Sequence, residues 1–179
     1  MIRFQRSDTE IKEILKTLVI IYDTREQKNS HILDYLTKRE IVHVKEKLDF
    51  GDYCAMIPAD PQYGIHRNIY LNSVVERKAN IDEICGNLQK STQQAFENEL
   101  IRSQQGKFVL MVEQLDFYTK LIHGDYRSQY DPKALLARLK SFEAKYNFNI
   151  VPVQKKEAGN WIYYRFYYEA RNLLKQGAF

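Results

Sequence analysis

β-rich apolar runs alternate with stretches of helical periodicity along this chain, and that alternation leaves few folds open. Residues 18–22, 41–44, 108–113 and 149–153 read as strands, and Val74-Val75 as the inner part of another. Ser7-Asp8-Thr9-Glu10 has the pattern of a capping box, with Ile11, Ile14, Leu15 and Leu18 following at helical spacing. Ser30 is expected to cap a helix through Ile32, Leu33, Tyr35 and Leu36 that ends near Arg39. Asn80 is expected to cap a short helix broken near Gly86, and a second helix spans about 92–103. Asp131-Pro132 opens a further helix, and a final one covers about 158–175. Residues 114–130 read as a polar, aromatic loop. Strands interleaved with helices in 179 residues predict one α/β domain with a central mixed sheet flanked by helices.

Between the strands, residues 53–57 and 69–78 are expected to form a hairpin with a long tip over 58–68 that contains Pro and Gly. The hairpin returns the chain so that Asp52 and Glu76 sit on adjacent strands. An extended backbone sends alternate side chains to one face, so Glu76 and Lys78 project together, roughly 7 Å apart along the chain, and Arg77 points the other way. Asp23 ends the first strand, and the C-terminal ends of strands are where ligands gather in open α/β sheets.

Composition removes several alternatives. Hydrophobic residues make up 44% and charged residues 28%, no apolar run is long enough to cross a membrane, and the first residues lack a signal peptide's apolar stretch, so a cytoplasmic protein with no membrane partner is expected. Cys54 and Cys85 make neither a metal-binding pair nor a disulfide framework and are expected as reduced, buried thiols. Four scattered histidines offer no zinc spacing. With 27 basic against 23 acidic residues, the +4 charge leans mildly toward polyanions.

Asp23, Asp52, Glu76 and Lys78 then stand at strand ends. Hard divalent ions such as magnesium take oxygen ligands and keep several waters, so two or three carboxylates suffice when a phosphate supplies more oxygens. A lysine beside them can orient or deprotonate a water and stabilise charge building on phosphorus. Phosphodiester hydrolysis is the chemistry that this set suits.

Three blocks carry a resemblance: Ile20-Ile21-Tyr22-Asp23-Thr24-Arg25-Glu26, Phe50-Gly51-Asp52-Tyr53, and Val75-Glu76-Arg77-Lys78-Ala79-Asn80-Ile81-Asp82. Their order and content resemble the signature of the ERCC4-type (XPF/MUS81) nuclease domain, and the last fits its Glu-Arg-Lys-x-x-x-Asp motif in full. Phe96-Glu97-Asn98-Glu99-Leu100-Ile101-Arg102 and Leu110-Met111-Val112-Glu113 fall where that domain has a helix and a strand. The resemblance implies a restriction-endonuclease-like α/β fold over a single domain, residues 1–179. Its core covers about 18–155, with the N-terminal helix and the aromatic C-terminal helix as extensions. It implies cleavage of branched DNA (flaps, forks, junctions) that depends on Mg2+ or Mn2+. Carried over by residue, Asp23, Asp52 and Glu76 are the expected metal ligands and Lys78 serves the attacking water. Arg77 holds Glu76 or a phosphate, and Asp82 caps or braces the helix after the motif.

Expected DNA contacts are Arg25, Arg77, Arg102 and Arg127. The run 124–130 pairs aromatics with a cation, and either stacks on unpaired bases or packs as an ordinary surface loop. The aromatic residues 161–168 either pack into the core with their hydroxyls outward or form a homodimer face. The hairpin between Asp52 and Glu76 is longer than usual for the family. The chain has no room for a helicase module and shows no helix-hairpin-helix pattern, so a stand-alone domain of phage or mobile-element origin is expected, acting in the cytoplasm of an infected cell or at the nucleoid. The alternative is a non-catalytic DNA-junction-binding or scaffold protein that keeps the nuclease fold.

Overall fold

The computed structural model describes residues 5–89 and 91–177. In chain order the elements are α1 (Asp8–Lys16), β1 (Val19–Asp23), α2 (Ser30–Lys38), β2 (His43–Glu46), β3 (Tyr53–Ile57), β4 (Ile69–Tyr70) and β5 (Ser73–Lys78). They continue with α3 (Ile81–Asn87), α4 (Gln93–Arg102), β6 (Lys107–Val112), α5 (Phe117–His123), α6 (Pro132–Tyr146), β7 (Asn149–Pro152) and α7 (Ala158–Gln176). They group into two compact units: Met1–Leu48, Tyr53–Ser73 and Gly159–Phe179 form the first, and Asp49–Asp52 with Val74–Ala158 the second.

In the first unit the capping box forms as the sequence predicts. Ser7 Oγ accepts from Glu10 N at 3.2 Å, and Glu10 Oε2 accepts from Ser7 N at 2.7 Å, which satisfies amides that α1 would otherwise leave unpaired. β1 runs parallel to β2 and antiparallel to β3, with Ile20 beside His43 on one side and Ala55 on the other. β4 pairs with β3. Ile20, Ile21 and Ala55 are fully buried, which accounts for the apolar, β-branched composition of β1. α7 packs tightly on α2 at Gly159, where an added Cβ would lie 2.7 Å from Tyr35 Cβ, and Asn160 Nδ2 donates to Tyr35 Oη at 2.8 Å. Ser30 is not the cap of α2 but its first helical residue; Asn29 holds the cap position without a side-chain bond. The expected single strand over 69–78 is two strands. Buried Leu71 still donates its N–H to Ala55 O at 2.9 Å, and β5 starts only at Ser73.

The second unit carries β5, β6 and β7 in that order, with β6 and β7 parallel; Pro152 sits on β7, the edge strand, and the next residue resumes the pairing, Val153 N donating to Val112 O at 2.8 Å. Asn80 caps α3 through Glu83 N, and Asp131 caps α6 through Ala134 N, both as expected. α3 ends at Asn87, one residue past Gly86, close to where the break is expected. The stretch 114–130 holds a helix, α5, whose Phe117 and Leu121 lie four residues apart and are both buried. They join a core with Ile84, Leu100, Leu110, Leu139 and Phe142. Cys54 and Cys85 are buried thiols in different units, and neither is in a disulfide. No described helix is long and apolar enough to cross a membrane.

Candidate active site

β5 places charge in the interior. Glu76, Arg77 and Lys78 are 5%, 5% and 7% exposed, a burial that charged residues reach only when paired. The alternation of the strand does the pairing. On one face Lys78 Nζ meets Glu76 Oε1 at 2.5 Å, and on the other Arg77 Nη2 meets Glu113 Oε2 at 2.6 Å. Glu113 follows directly on β6, and its N–H donates to Lys78 O at 2.8 Å, so the neighbouring strand fixes both the end of the motif and the partner of Arg77. Gln114 adds a third tie, accepting from Ile81 N at 3.0 Å where α3 begins.

Asp52 reaches the same strand by a turn. Its N–H donates to Val75 O at 2.9 Å, and its Oδ2 accepts from Arg77 N at 2.8 Å. Gly51 makes this approach possible. Its φ is +71°, and an added Cβ would stand 1.9 Å from Val74 Cγ1, so no larger residue fits without movement. Glu99 on α4 accepts from Gly51 N at 2.9 Å and holds the turn from beneath.

The electrostatics are uneven. Burial first, and then the Asp52 charge, push the Glu76 carboxyl well above the usual carboxylate range, against the pull of Lys78; Glu99 adds to the push. For Lys78, burial disfavours the ammonium, but the charge and hydrogen bond of Glu76, with Asp52 behind it, outweigh that and raise the pKa. The face therefore holds more negative charge than its one lysine offsets. Lys78 stays an ammonium at neutral pH.

That imbalance is the fit test for a divalent cation. Among the described residues no group of three or more His, Cys, Asp or Glu is arranged to hold a metal. Magnesium does not need three: one or two carboxylates suffice when waters and substrate phosphates complete the shell. Asp52 and Glu76 are hard oxygen donors, and a cation beside them would relieve the charge that raises Glu76. The donor set fits.

Of the residues expected at the site, the second unit brings Asp52, Glu76, Arg77 and Lys78 together. Asp23 and Arg25 belong to the first unit and pair with each other. Asp23 Oδ1 accepts from Arg25 N at 2.7 Å and Arg25 Nε at 2.6 Å, and Oδ2 accepts from Leu48 N at 2.7 Å. Burial works against this carboxylate, but these donors outweigh it and hold its pKa below the usual range. Arg102 lies exposed in the last turn of α4, and Arg127 is tied to Asp82. Glu113 and Glu99 were not singled out from the sequence. An acid directly after the buried run of β6 was the available signal for Glu113; nothing local marks Glu99.

The chain matches the ERCC4 domain over residues 22–164. No curated protein matches it. Among solved structures it is similar to XPF from Aeropyrum pernix, at 17% identity and a TM-score of 0.59, covering 87% of this chain and 66% of that one. A second structure, XPF from Aeropyrum pernix in complex with DNA, aligns at 17% identity with a TM-score of 0.54, covering 80% of this chain and 60% of that one. The likeness shows the fold: α/β, restriction-endonuclease-like, on a mixed sheet. The chain spans just under two thirds of those XPF chains.

Proposed function

The chain belongs to the ERCC4 domain family, a family of structure-specific nucleases, and on that premise we propose that it is a divalent-metal-dependent endonuclease acting on branched DNA such as flaps, forks and junctions. The observation that carries this reading is the buried Glu76–Lys78 pair at 2.5 Å, which shares its field with Asp52. Asp52 and Glu76 are the residues that would hold Mg2+ or Mn2+. The ion would lower the pKa of a bound water and offset charge on the phosphate.

The chain's own residues supply the rest. Lys78, held as an ammonium, orients the water and donates to the oxygens that gain charge as the pentacovalent arrangement forms. The water oxygen bonds to phosphorus, one P–O ester bond breaks, and the water's proton ends on the departing oxygen. Lys78 does not take that proton, because its acids keep it charged. Arg77 braces β5 against β6 through Glu113 and keeps Glu76 and Lys78 turned inward. Asp23 orders the turn at the end of β1 and the Leu48 amide; a metal contact is the role that the motif resemblance adds for it. Arg25, Arg102 and Arg127 are the proposed phosphate contacts.

A non-catalytic junction binder on the same fold is the second reading, and the full set of Asp52, Glu76 and Lys78 weighs against it. α7 also turns Tyr164 and Tyr168 outward, 45% and 55% exposed and stacked with centroids 6.2 Å apart. That aromatic surface supports a homodimer, to be checked by light scattering of a Tyr164→Ser/Tyr168→Ser variant. The activity itself is tested by incubating end-labelled flaps, forks, four-way junctions and plain duplex with magnesium or manganese. Nicking that needs metal and favours branches is expected. No nicking of any substrate would remove the proposal.

A further inference from the structure

The last acid of the motif is engaged away from Glu76 and Lys78. Asp82 Oδ1 accepts from Arg127 N at 2.8 Å, and Oδ2 accepts from Arg127 Nε at 3.2 Å. The clasp holds the arginine at its base and leaves its side chain 87% exposed. The surrounding loop is itself fixed: Tyr126 packs against the core of the second unit and donates from Oη to Tyr130 O at 2.8 Å. Between α3 and this loop lies an open cleft of about 540 Å³. Gly86, Gln89, Gln129 and Tyr130 line it beside Asp82 and Arg127.

The lining suits a nucleic-acid strand. It offers a guanidinium for a phosphate, carboxamides for phosphate oxygens or base edges, and a phenol on which a base can stack. Arg127 neutralises the single acid in the wall. The cleft also adjoins the catalytic strand, because α3 begins within the motif that ends β5.

We propose that this cleft is a subsite for a DNA strand, and that Asp82 is a positioning residue that holds Arg127 at its wall to meet a backbone phosphate. The proposal rests on the nuclease reading for its substrate, but its test does not require cleavage. Asp82 then serves the motif by shaping the substrate path, and it is not a metal ligand.

The test measures binding of a fluorescent DNA fork by anisotropy, with calcium in place of magnesium, across a range of salt. Arg127→Gln is expected to weaken binding about five- to tenfold and to lower the salt slope by about one. Asp82→Asn should weaken it by a similar factor, and the double variant should bind no worse than Arg127→Gln alone. Gly86→Trp approaches the cleft from a helical position where an added Cβ meets nothing within 4 Å, and should weaken binding without touching the clasp. In nicking, Asp82→Asn should raise KM and leave kcat and the half-saturating magnesium within about threefold. Wild-type affinity in both Gly86→Trp and Arg127→Gln overturns the cleft. Loss of kcat in Asp82→Asn with affinity kept and magnesium demand raised overturns the positioning role. Wild type that shows these binding differences but nicks nothing supports the cleft and overturns the nuclease reading instead.

Discussion

On one face of β5 the Lys78 ammonium meets Glu76 at 2.5 Å, and on the other the Arg77 guanidinium meets Glu113 at 2.6 Å. Both pairs are almost fully buried. They differ in company. Burial raises the Glu76 pKa first, and Asp52 and then Glu99 add to it, whereas Arg77 and Glu113 sit where β5 meets β6 and are locked by the Glu113 N–H to Lys78 O bond. A buried ion pair with an acid to spare is the arrangement that the proposed cation and phosphate would use. A buried pair built into the strand register is a brace. Burial alone does not separate the two roles; the surplus of charge does.

Variants on the two faces should therefore fail in different ways. The largest effect is expected from Lys78→Ala, which removes the charged donor at the proposed reaction centre. The nicking rate of a branched substrate should fall about 10³-fold while fork affinity stays within a few-fold. Equal nicking by the variant would dissolve the distinction between the faces. On the other face, Glu113→Gln leaves Arg77 buried against a neutral group and should cost about 3–5 kcal/mol in urea unfolding. Replacing both partners, as Arg77→Met/Glu113→Leu, should recover most of that loss. A double variant as unstable as the single one would make the pair more than a brace.

This contrast was only half legible in the sequence. The period of two along Val74 to Lys78 was enough to turn Glu76 and Lys78 one way and Arg77 the other. The partner of Arg77 was not, because Glu113 lies 36 positions away and reaches it only through the pairing of β5 with β6. Glu99 was hidden for the same reason, acting through Gly51 N across 48 positions. α5 was missed because the polar residues of 114–130 mask a pair of apolar residues, Phe117 and Leu121, at helical spacing. The break expected near Gly86 falls at Asn87, one residue further on, since a single glycine costs a helix only about 1 kcal/mol and need not be its last residue. Three of the four capping signals held, because Ser7, Asn80 and Asp131 each act on an amide three residues on, whereas Ser30 proved to be the first helical residue of α2.

Smaller effects sharpen the comparison. Gly51→Ala should destabilise by about 1–3 kcal/mol, combining a positive φ with the overlap on Val74, and should reduce nicking by displacing Asp52. Asp23 supplies a pH test in the first unit. Its folded pKa is depressed, so its contribution is present above the ordinary carboxylate range and lost as pH falls through the lowered value. Asp23→Asn should cost about 2 kcal/mol at neutral pH, an amount tempered by the exposure of Arg25, and the gap to wild type should close on acidification. A gap independent of pH would contradict that origin. Glu76 has the opposite sign: its raised pKa favours the fold at low pH and withdraws that support as pH rises. Asp52→Asn removes the repulsion, and should raise the metal-free Tm slightly and abolish the rise that magnesium is expected to give wild type.

The most direct measurement is the nicking rate of a DNA fork per folded molecule, with the folded fraction taken from thermal unfolding, for wild type, Lys78→Ala and Glu113→Gln in magnesium. Both single variants break a buried pair and should lose stability, but per folded molecule Lys78→Ala is expected to be inactive and Glu113→Gln to stay within about tenfold of wild type. A folded Lys78→Ala that nicks at the wild-type rate, or a wild type that nicks nothing, would contradict the account.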